Sequence, residues 1–212
     1  MPSTHPHGGQ PILRQGPAPA QARVAVVLVH GRGDTAAGIL SLADEFDTPD
    51  ITWVAPQAVG NSWYPYSFLA PIERNEPGIS SGLRVLGEIV ETLGRDGLPA
   101  DRVVLMGFSQ GACLALEFAA RHARRYRAVI GLSGGLIGPD GTPRKYSGTF
   151  DGTPVFLGCS DRDPHIPLAR VKETTEVLAR MGAEVTERIY PAMGHTVNED
   201  ELEHVRALLA GI

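Results

Sequence analysis

The chain has 212 residues, of which 42% are hydrophobic and 20% charged, as expected for one folded domain with a sizeable core. Its formal net charge of −5 offers no basic surface for nucleic acid or an anionic membrane, and its apolar runs are too short to span a bilayer. Two cysteines, Cys113 and Cys159, are too few for a disulfide framework, so we expect buried thiols and a cytoplasmic protein.

The N-terminal stretch, residues 1–20, is rich in Pro, Gly, Gln and His and lacks the apolar segment of a secretory signal. We predict a mobile arm here, with a short strand at residues 12–15, followed by a single domain at residues 21–212. Metal binding by His5 and His7 is an alternative to a solvated arm.

Short apolar runs alternate with helical sequence along the rest of the chain. Residues 24–29, Val-Ala-Val-Val-Leu-Val, are typical of a strand that is covered on both faces. The alternation predicts an α/β fold, with a mostly parallel sheet between helices and ligands bound at the carboxyl ends of the strands. The predicted strands are residues 24–29, 51–55, 103–106, 127–132, 154–159 and 184–190, and the predicted helices are residues 35–46, 80–93, 112–122, 166–181 and 199–210.

A Gly-rich turn, His30-Gly31-Arg32-Gly33-Asp34, follows the strand at residues 24–29. It lacks the spacing of a phosphate-binding loop and of the dinucleotide-binding motif. Such a turn brings backbone N–H groups to the carboxyl edge of the sheet, where one of them can bind an oxyanion together with an N–H from the residue after a nucleophile. If Ser109, described below, is that nucleophile, the two donors are the backbone N–H groups of Arg32 and Gln110, with His30 as a structural hydrogen-bonding residue.

Residues 59–77 are the least regular part of the chain and contain several aromatic side chains. Pro and Gly prevent a long helix here. Trp63, Tyr64 and Phe68 have two alternative interpretations, a flap that covers the core or a wall of a substrate pocket, and one loop can do both. We assign these three residues, together with Ile166, to substrate binding.

The segment Gly107-Phe108-Ser109-Gln110-Gly111 lies between a predicted strand and a predicted helix. In that context Gly-x-Ser-x-Gly predicts a nucleophile elbow, a strained turn that exposes the Ser109 hydroxyl at the end of a parallel sheet. Gly107 and Gly111 are expected to leave room where a Cβ would collide with a neighbouring strand or helix. The alternative is an ordinary strand-to-helix turn with a capping serine.

A serine nucleophile needs a base and an acid that orients this base. Of the seven histidines, only His195 follows the last strand on a Gly-containing loop, which predicts the base. Asp161 and Asp163 share one strand-end loop, and either can be the acid or a turn residue. The extended backbone before Pro164 favours Asp163.

These motifs resemble those of the phospholipase/carboxylesterase family of α/β-hydrolases, which includes bacterial carboxylesterases and acyl-protein thioesterases. The matching segments are His30-Gly31-Arg32-Gly33-Asp34, Gly107-Phe108-Ser109-Gln110-Gly111, residues 160–167 and Met193-Gly194-His195. The resemblance implies Ser109 as nucleophile, Asp163 as acid and His195 as base. Arg32 stands where family members more often carry an apolar residue, and its side chain could favour acidic or polar leaving groups.

The resemblance predicts a cofactor-free serine carboxylesterase that holds no metal and hydrolyses short-chain acyl esters through an acyl-enzyme. The aromatic segment at residues 63–68 is similar to the bacterial esterase branch. Acyl-protein thioesterase or lysophospholipase activity is the alternative within the fold, and a catalytically silent binding protein is the alternative outside it. The expected partner is a small-molecule ester, without nucleic acid or membrane insertion, and a homodimer is compatible with the sequence.

Overall fold

The computed structural model describes residues 4–211, and seven strands among them form one sheet. The strands are β1 (Ile12–Gln15), β2 (Val24–Val29), β3 (Ile51–Pro56), β4 (Val103–Phe108), β5 (Ala128–Leu132), β6 (Pro154–Ser160) and β7 (Glu184–Tyr190). Their spatial order is β1-β3-β2-β4-β5-β6-β7, in which β1 pairs antiparallel with β3 and every other pair is parallel.

The α-helices cover both faces of this sheet and bury two hydrophobic clusters. The helices are α1 (Ala36–Leu40), α2 (Gly78–Arg95), α3 (Gln110–Arg121), α4 (Leu168–Arg180) and α5 (Glu199–Ala210). Side chains alternate between the faces along each strand. Val27 of β2 therefore joins the cluster under α2, α3 and α4, whereas Val26 joins the cluster under α1 and α5. Among residues 4–211, none of the helices has both the length and the hydropathy to cross a membrane.

The predicted mostly parallel sheet with helices on both faces is confirmed. The predicted helix at residues 35–46 is shorter in the structure, because α1 gives way to a 3-10 helix at Ser41–Glu45. The helix predicted from residue 166 begins at Leu168, directly after Pro167 as its N-cap. Cys113 and Cys159 are buried free thiols, as expected.

Residues 4–20, which the sequence assigns to an arm, pack against the domain in the structure. β1 is the short strand expected at residues 12–15 and extends the sheet beside β3. His7 is 3% exposed, and its ring contacts the carbonyl of Trp63 and the N–H of Val59. The expectation of a solvated His7 is thus wrong, because these distant backbone groups give the imidazole buried hydrogen-bonding partners.

Candidate active site

The turn between β4 and α3 holds Ser109 in a strained backbone conformation. Its φ of 54° and ψ of −120° lie in a region that non-glycine residues rarely adopt. A Cβ on Gly107 would lie 2.5 Å from the backbone of Gly111, and a Cβ on Gly111 would lie 2.1 Å from the carbonyl oxygen of Val29. The two glycines therefore permit the close approach of strand and helix that the elbow requires.

Three side chains from distant parts of the chain form a continuous hydrogen-bonded row at the carboxyl edge of the sheet. The Ser109 Oγ lies 2.8 Å from His195 Nε2, and His195 Nδ1 lies 2.7 Å from Asp163 Oδ2. Ser109 follows β4, Asp163 follows β6 and His195 follows β7. The structure therefore brings together the three residues that the sequence predicts as nucleophile, acid and base.

Asp163 is held as a carboxylate at the start of the loop before α4. Its Oδ1 accepts hydrogen bonds from the backbone N–H groups of His165, at 2.8 Å, and Ile166, at 3.0 Å. Burial alone would raise the pKa of Asp163. The hydrogen bonds from His195 and from these two N–H groups outweigh burial, so the pKa lies below its ordinary value. The ionised group can therefore orient the imidazole and stabilise its cation.

Asp161, the other candidate acid, has a different task in the structure. Its Oδ1 accepts the backbone N–H of Ala192 at 2.8 Å, and the neighbouring Ser160 Oγ accepts the N–H of Gly194 at 3.3 Å. Both bonds join the loop after β6 to the loop that carries His195. Asp161 thus anchors the backbone next to the imidazole without contacting it.

Two rings flank the imidazole of His195. The Phe108 ring lies with its centroid 5.0 Å from that of His195, and the His165 ring lies 4.8 Å away at an interplanar angle of 73°. The two rings restrict the tilt of His195. Sequence reasoning considered His165 only as a base and missed this contact, although its position two residues after Asp163 on a strand-end loop was a signal.

The expected oxyanion donors lie beside Ser109. Gln110 opens α3, where the first backbone N–H groups of a helix have no acceptor within the helix. The turn that carries Arg32 passes over the nucleophile, since a Cβ on Gly31 would lie 3.4 Å from the Ser109 Cβ. Both residues also line the cleft above Ser109. The role of the Arg32 and Gln110 backbone N–H groups as oxyanion donors stays a prediction.

His30 supports this turn from below, in keeping with its predicted structural role. It is fully buried, its Nδ1 lies 2.7 Å from the carbonyl oxygen of Gly31, and its Nε2 accepts the N–H of Ala58 at 3.1 Å. Burial lowers the pKa of His30, although its bond to Gly31 opposes that shift. The neutral ring therefore fixes the turn at its strand end.

A cleft with a volume of about 580 Å³ opens above Ser109. Tyr64, Phe68 and Ile166 line it, as the sequence predicts, and Phe108 joins them. Trp63 does not line the cleft, so its assignment to substrate binding is wrong. It is 0% exposed, and its Nε1 donates to the carbonyl of His30 at 3.0 Å, so it belongs to the core beneath the turn.

Across residues 4–211, no cluster of three or more His, Cys, Asp or Glu side chains has the geometry to hold a metal ion. The charged and polar groups next to Ser109 are instead those of the hydrogen-bonded row. The arrangement is suited to proton transfer from a hydroxyl group to an imidazole.

A mostly parallel sheet with helices on both faces and a serine elbow at its carboxyl edge defines an α/β-hydrolase. The family model of the phospholipases/carboxylesterases matches residues 16–211, and the chain belongs to this family.

The comparisons with individual proteins agree with this family. An acyl-protein thioesterase 1 from Gibberella zeae is 27% identical, over 91% of this chain and 92% of its own. The structure of a phospholipase/carboxylesterase from Dyadobacter fermentans is 42% identical with a TM-score of 0.92, over 95% of this chain and 97% of that one. The Bacillus cereus carboxylesterase, 17% identical with a TM-score of 0.74 over 96% and 95%, shares the fold. Family and relatives indicate a hydrolase of the esterase and thioesterase type.

Proposed function

We propose that this protein is a serine carboxylesterase that hydrolyses short-chain acyl esters through an acyl-enzyme. The observation that carries the proposal is the hydrogen-bonded row from Ser109 through His195 to Asp163, with contacts of 2.8 and 2.7 Å. Each contact lies within the range over which a base can take a proton. A serine hydroxyl is a weak nucleophile on its own, and this row activates it.

In the first half of the reaction, His195 Nε2 accepts the Ser109 proton as Oγ attacks the carbonyl carbon of the ester. Asp163 holds Nδ1 protonated and stabilises the imidazolium that forms. Negative charge develops on the carbonyl oxygen, and the N–H groups of Gln110 and Arg32 donate to it. As the bond between the carbonyl carbon and the alkoxide oxygen breaks, the imidazolium gives its proton to that oxygen. The alcohol leaves, and the acyl group remains on Ser109 Oγ.

In the second half, a water molecule replaces the alcohol. His195 takes a proton from this water while the hydroxide attacks the acyl carbon, and the same N–H groups stabilise the second oxyanion. Collapse of this intermediate releases the carboxylic acid and returns the proton to Ser109 Oγ. The cycle uses only side chains and backbone groups of this chain, together with water.

The preference for short acyl chains rests on the shape of the cleft. Three large side chains line it and are themselves nearly buried: Tyr64 is 2%, Phe68 6% and Ile166 3% exposed. We infer that these packed side chains limit the space for a long acyl chain, because moving them would disturb the core. We therefore expect acetyl and butyryl esters to be hydrolysed faster than palmitoyl esters.

Covalent labelling tests the proposal. A fluorophosphonate probe is expected to label the parent protein on Ser109, and Ser109→Ala is expected to lose both labelling and ester hydrolysis by several orders of magnitude. Ser67→Ala, a matched change of another serine that lines the cleft, is expected to keep labelling. A folded parent that neither labels nor hydrolyses esters would instead support a binding protein on the same fold.

Thioester cleavage is the second candidate, because the curated relatives are named acyl-protein thioesterases. Oxygen and sulfur esters with matched acyl chains from two to sixteen carbons would separate the two activities. Higher kcat/KM for long-chain thioesters or for lysophospholipids than for short oxygen esters would overturn the carboxylesterase proposal. Lower kcat/KM for long-chain thioesters and for lysophospholipids than for short oxygen esters would support the carboxylesterase proposal.

A further inference from the structure

The side chain of Arg32 crosses the mouth of the cleft and is fixed by neutral oxygens. Its guanidinium donates to the carbonyl oxygens of Pro65, at 2.9 Å, and Tyr66, at 2.6 Å, and to Ser62 Oγ at 3.2 Å. A guanidinium has five N–H donors, so these three bonds leave donors for another acceptor. Arg32 is exposed and lines the cleft, so a ligand can reach those donors.

The guanidinium of Arg32 has no carboxylate partner among the described residues. Among the side chains of residues 4–211, Arg32 forms no ion pair. Asp34 also lines the cleft, but its Oδ1 accepts the backbone N–H of Thr35 at 2.7 Å, and its carboxylate lies against the start of α1. The positive charge of Arg32 is thus fixed in position and uncompensated beside the candidate oxyanion donors.

A second arginine, Arg74, lies against Tyr66, a residue that lines the cleft. The guanidinium carbon of Arg74 lies 4.3 Å from the ring centroid of Tyr66, whose backbone carbonyl binds Arg32. Arg74 likewise takes part in no ion pair within the described part of the chain. Tyr66 is 47% exposed and lines the cleft. Arg32 and Tyr66 line the cleft, and Arg74 lies against the Tyr66 ring; we call these three residues the basic rim, in a protein with a net charge of −5.

We propose that the basic rim selects esters that carry an anionic group, a carboxylate or a phosphate, a few bonds away from the scissile carbonyl. This inference rests on the proposed esterase function and names its substrate class. In this proposal Arg32 connects the two parts of the site, because its backbone N–H is the expected oxyanion donor and its side chain would bind the anion. An Arg guanidinium binds carboxylate and phosphate oxygens through parallel N–H donors, which fixes such a substrate in orientation.

Two pairs of esters with matched shape test the selection. Monoethyl succinate and ethyl 4-methylpentanoate place a carboxylate or an isopropyl group on the acyl side. 4-Acetoxybenzoate and 4-isopropylphenyl acetate make the same exchange on the alcohol side. Hydrolysis is followed by proton release, and the readout is the ratio of kcat/KM for the anionic ester to that for its neutral partner.

Three variants separate anion recognition from a structural effect of Arg32. Arg32→Gln is expected to lower the ratio about tenfold for at least one pair, and Arg74→Gln by a few fold. If Arg32→Gln acted only through loss of its bonds to the loop at residues 62–66, kcat/KM would fall equally for both esters of a pair and the ratio would stay unchanged. Arg180→Gln removes an exposed charge on α4 and is expected to leave the ratio at the parent value. High salt is expected to lower the parent ratio, because it screens the exposed rim.

Binding measured without turnover keeps this inference separate from the proposed function. In Ser109→Ala, the affinities for the same esters are compared with and without Arg32→Gln. Tighter binding of the anionic ester that depends on Arg32 would support the basic rim even if the parent hydrolysed neither ester. Hydrolysis of both pairs at ratios that neither arginine substitution nor salt changes would overturn the rim and leave the esterase proposal intact.

Discussion

Ser109 combines the proposed nucleophile with backbone strain, and the two can be separated by substitution. Its φ of 54° is unfavourable for any residue with a Cβ. Ser109→Ala keeps the strain and Ser109→Gly relieves it, although glycine loses more entropy on folding. We expect Ser109→Gly to unfold with a free energy about 1 kcal/mol higher than Ser109→Ala. Urea denaturation measures the difference, and a Ser109→Gly variant less stable than Ser109→Ala would contradict this relief of strain.

The two acids of the loop after β6 provide a second prediction at the residue scale. Asp163→Asn removes the charge that faces His195 and alters the hydrogen bond at Nδ1, so we expect kcat to fall on the order of 1,000-fold or more. Asp161→Asn keeps an oxygen that can accept the Ala192 N–H, so its kcat is expected to fall less than tenfold. Ester hydrolysis at saturating substrate measures both. The reverse order would identify Asp161 as the acid.

At this scale, a residue of the candidate site could be predicted where both its type and its position after a strand pointed to the same role. Ser109 and His195 follow strands on Gly-containing loops, and Asp163 precedes a proline, so all three could be singled out from the sequence. Trp63 could not be placed, because an aromatic loop residue packs into a core or into a pocket according to contacts with distant residues. Its actual partner, the carbonyl of His30, lies 33 positions away.

At the scale of elements, α5 buries an acidic side chain next to the sheet. Asn198 and Glu201 form a capping box, in which each side chain accepts the other's backbone N–H at 2.9 Å. Glu201 is 0% exposed, and its Oε1 has no hydrogen-bond partner among the described residues. Burial raises the pKa of its carboxyl to about 7, although the bond from the Asn198 N–H opposes the shift.

The raised pKa of Glu201 predicts that the free energy of unfolding depends on pH. The folded protein binds this proton up to about pH 7, whereas an unfolded glutamate releases it near pH 4.5. The free energy of unfolding therefore falls as pH rises through that window, by up to about 3 kcal/mol from this group. We expect the parent protein to lose stability relative to Glu201→Gln between pH 5 and pH 8, measured by urea denaturation. Glu203→Gln, an exposed change on α5, is expected to follow the parent at both pH values.

For the whole molecule, the N-terminal segment is tied to the aromatic loop by His7. The ring of His7 donates from Nε2 to the carbonyl of Trp63 at 2.8 Å and accepts the N–H of Val59 at Nδ1, at 3.1 Å. Its backbone N–H donates to Ser81 Oγ on α2 at 3.0 Å. Burial lowers the pKa of His7, although the bond to Trp63 opposes the shift. The neutral ring and the backbone N–H of His7 together join the N-terminal segment to the aromatic loop and to α2.

His7→Ala is expected to lower the free energy of unfolding by about 2 kcal/mol at pH 8, because it leaves the buried carbonyl of Trp63 and the partly buried N–H of Val59 without this partner. Below pH 6.5 the unfolded histidine binds a proton more readily than the folded one, so the contribution of His7 is expected to shrink as pH falls. Urea denaturation at pH 5 and pH 8 measures both effects. Arg14→Ala, on the exposed β1, serves as the control, and an equal loss there would contradict a specific role for His7.

The parallel sheet could be predicted from local sequence patterns, since each strand is a short apolar run between residues that favour turns. The N-terminal segment shows where such reasoning stops. A stretch rich in Pro, Gly and His has no periodicity of its own, and its position depends on residues 56 and 74 positions further along the chain. The contact between His165 and His195 was hidden for the same reason, because two loops distant in the sequence meet only after the sheet has formed.

The side chain of Gln110 has a consequence for how this cleft can be altered. Its Oε1 accepts the N–H of Trp63 and its Nε2 donates to the carbonyl of Tyr64, each at 2.8 Å. The backbone N–H proposed to bind the oxyanion thus belongs to the same residue whose side chain fixes the backbone of Trp63 and Tyr64, on the opposite wall of the cleft. Exchanging side chains of that wall can enlarge the space for substrate, whereas inserting or deleting a residue there would displace the clamp and misalign the amide. Natural variation in acyl preference is therefore expected to proceed through side-chain replacement at constant loop length.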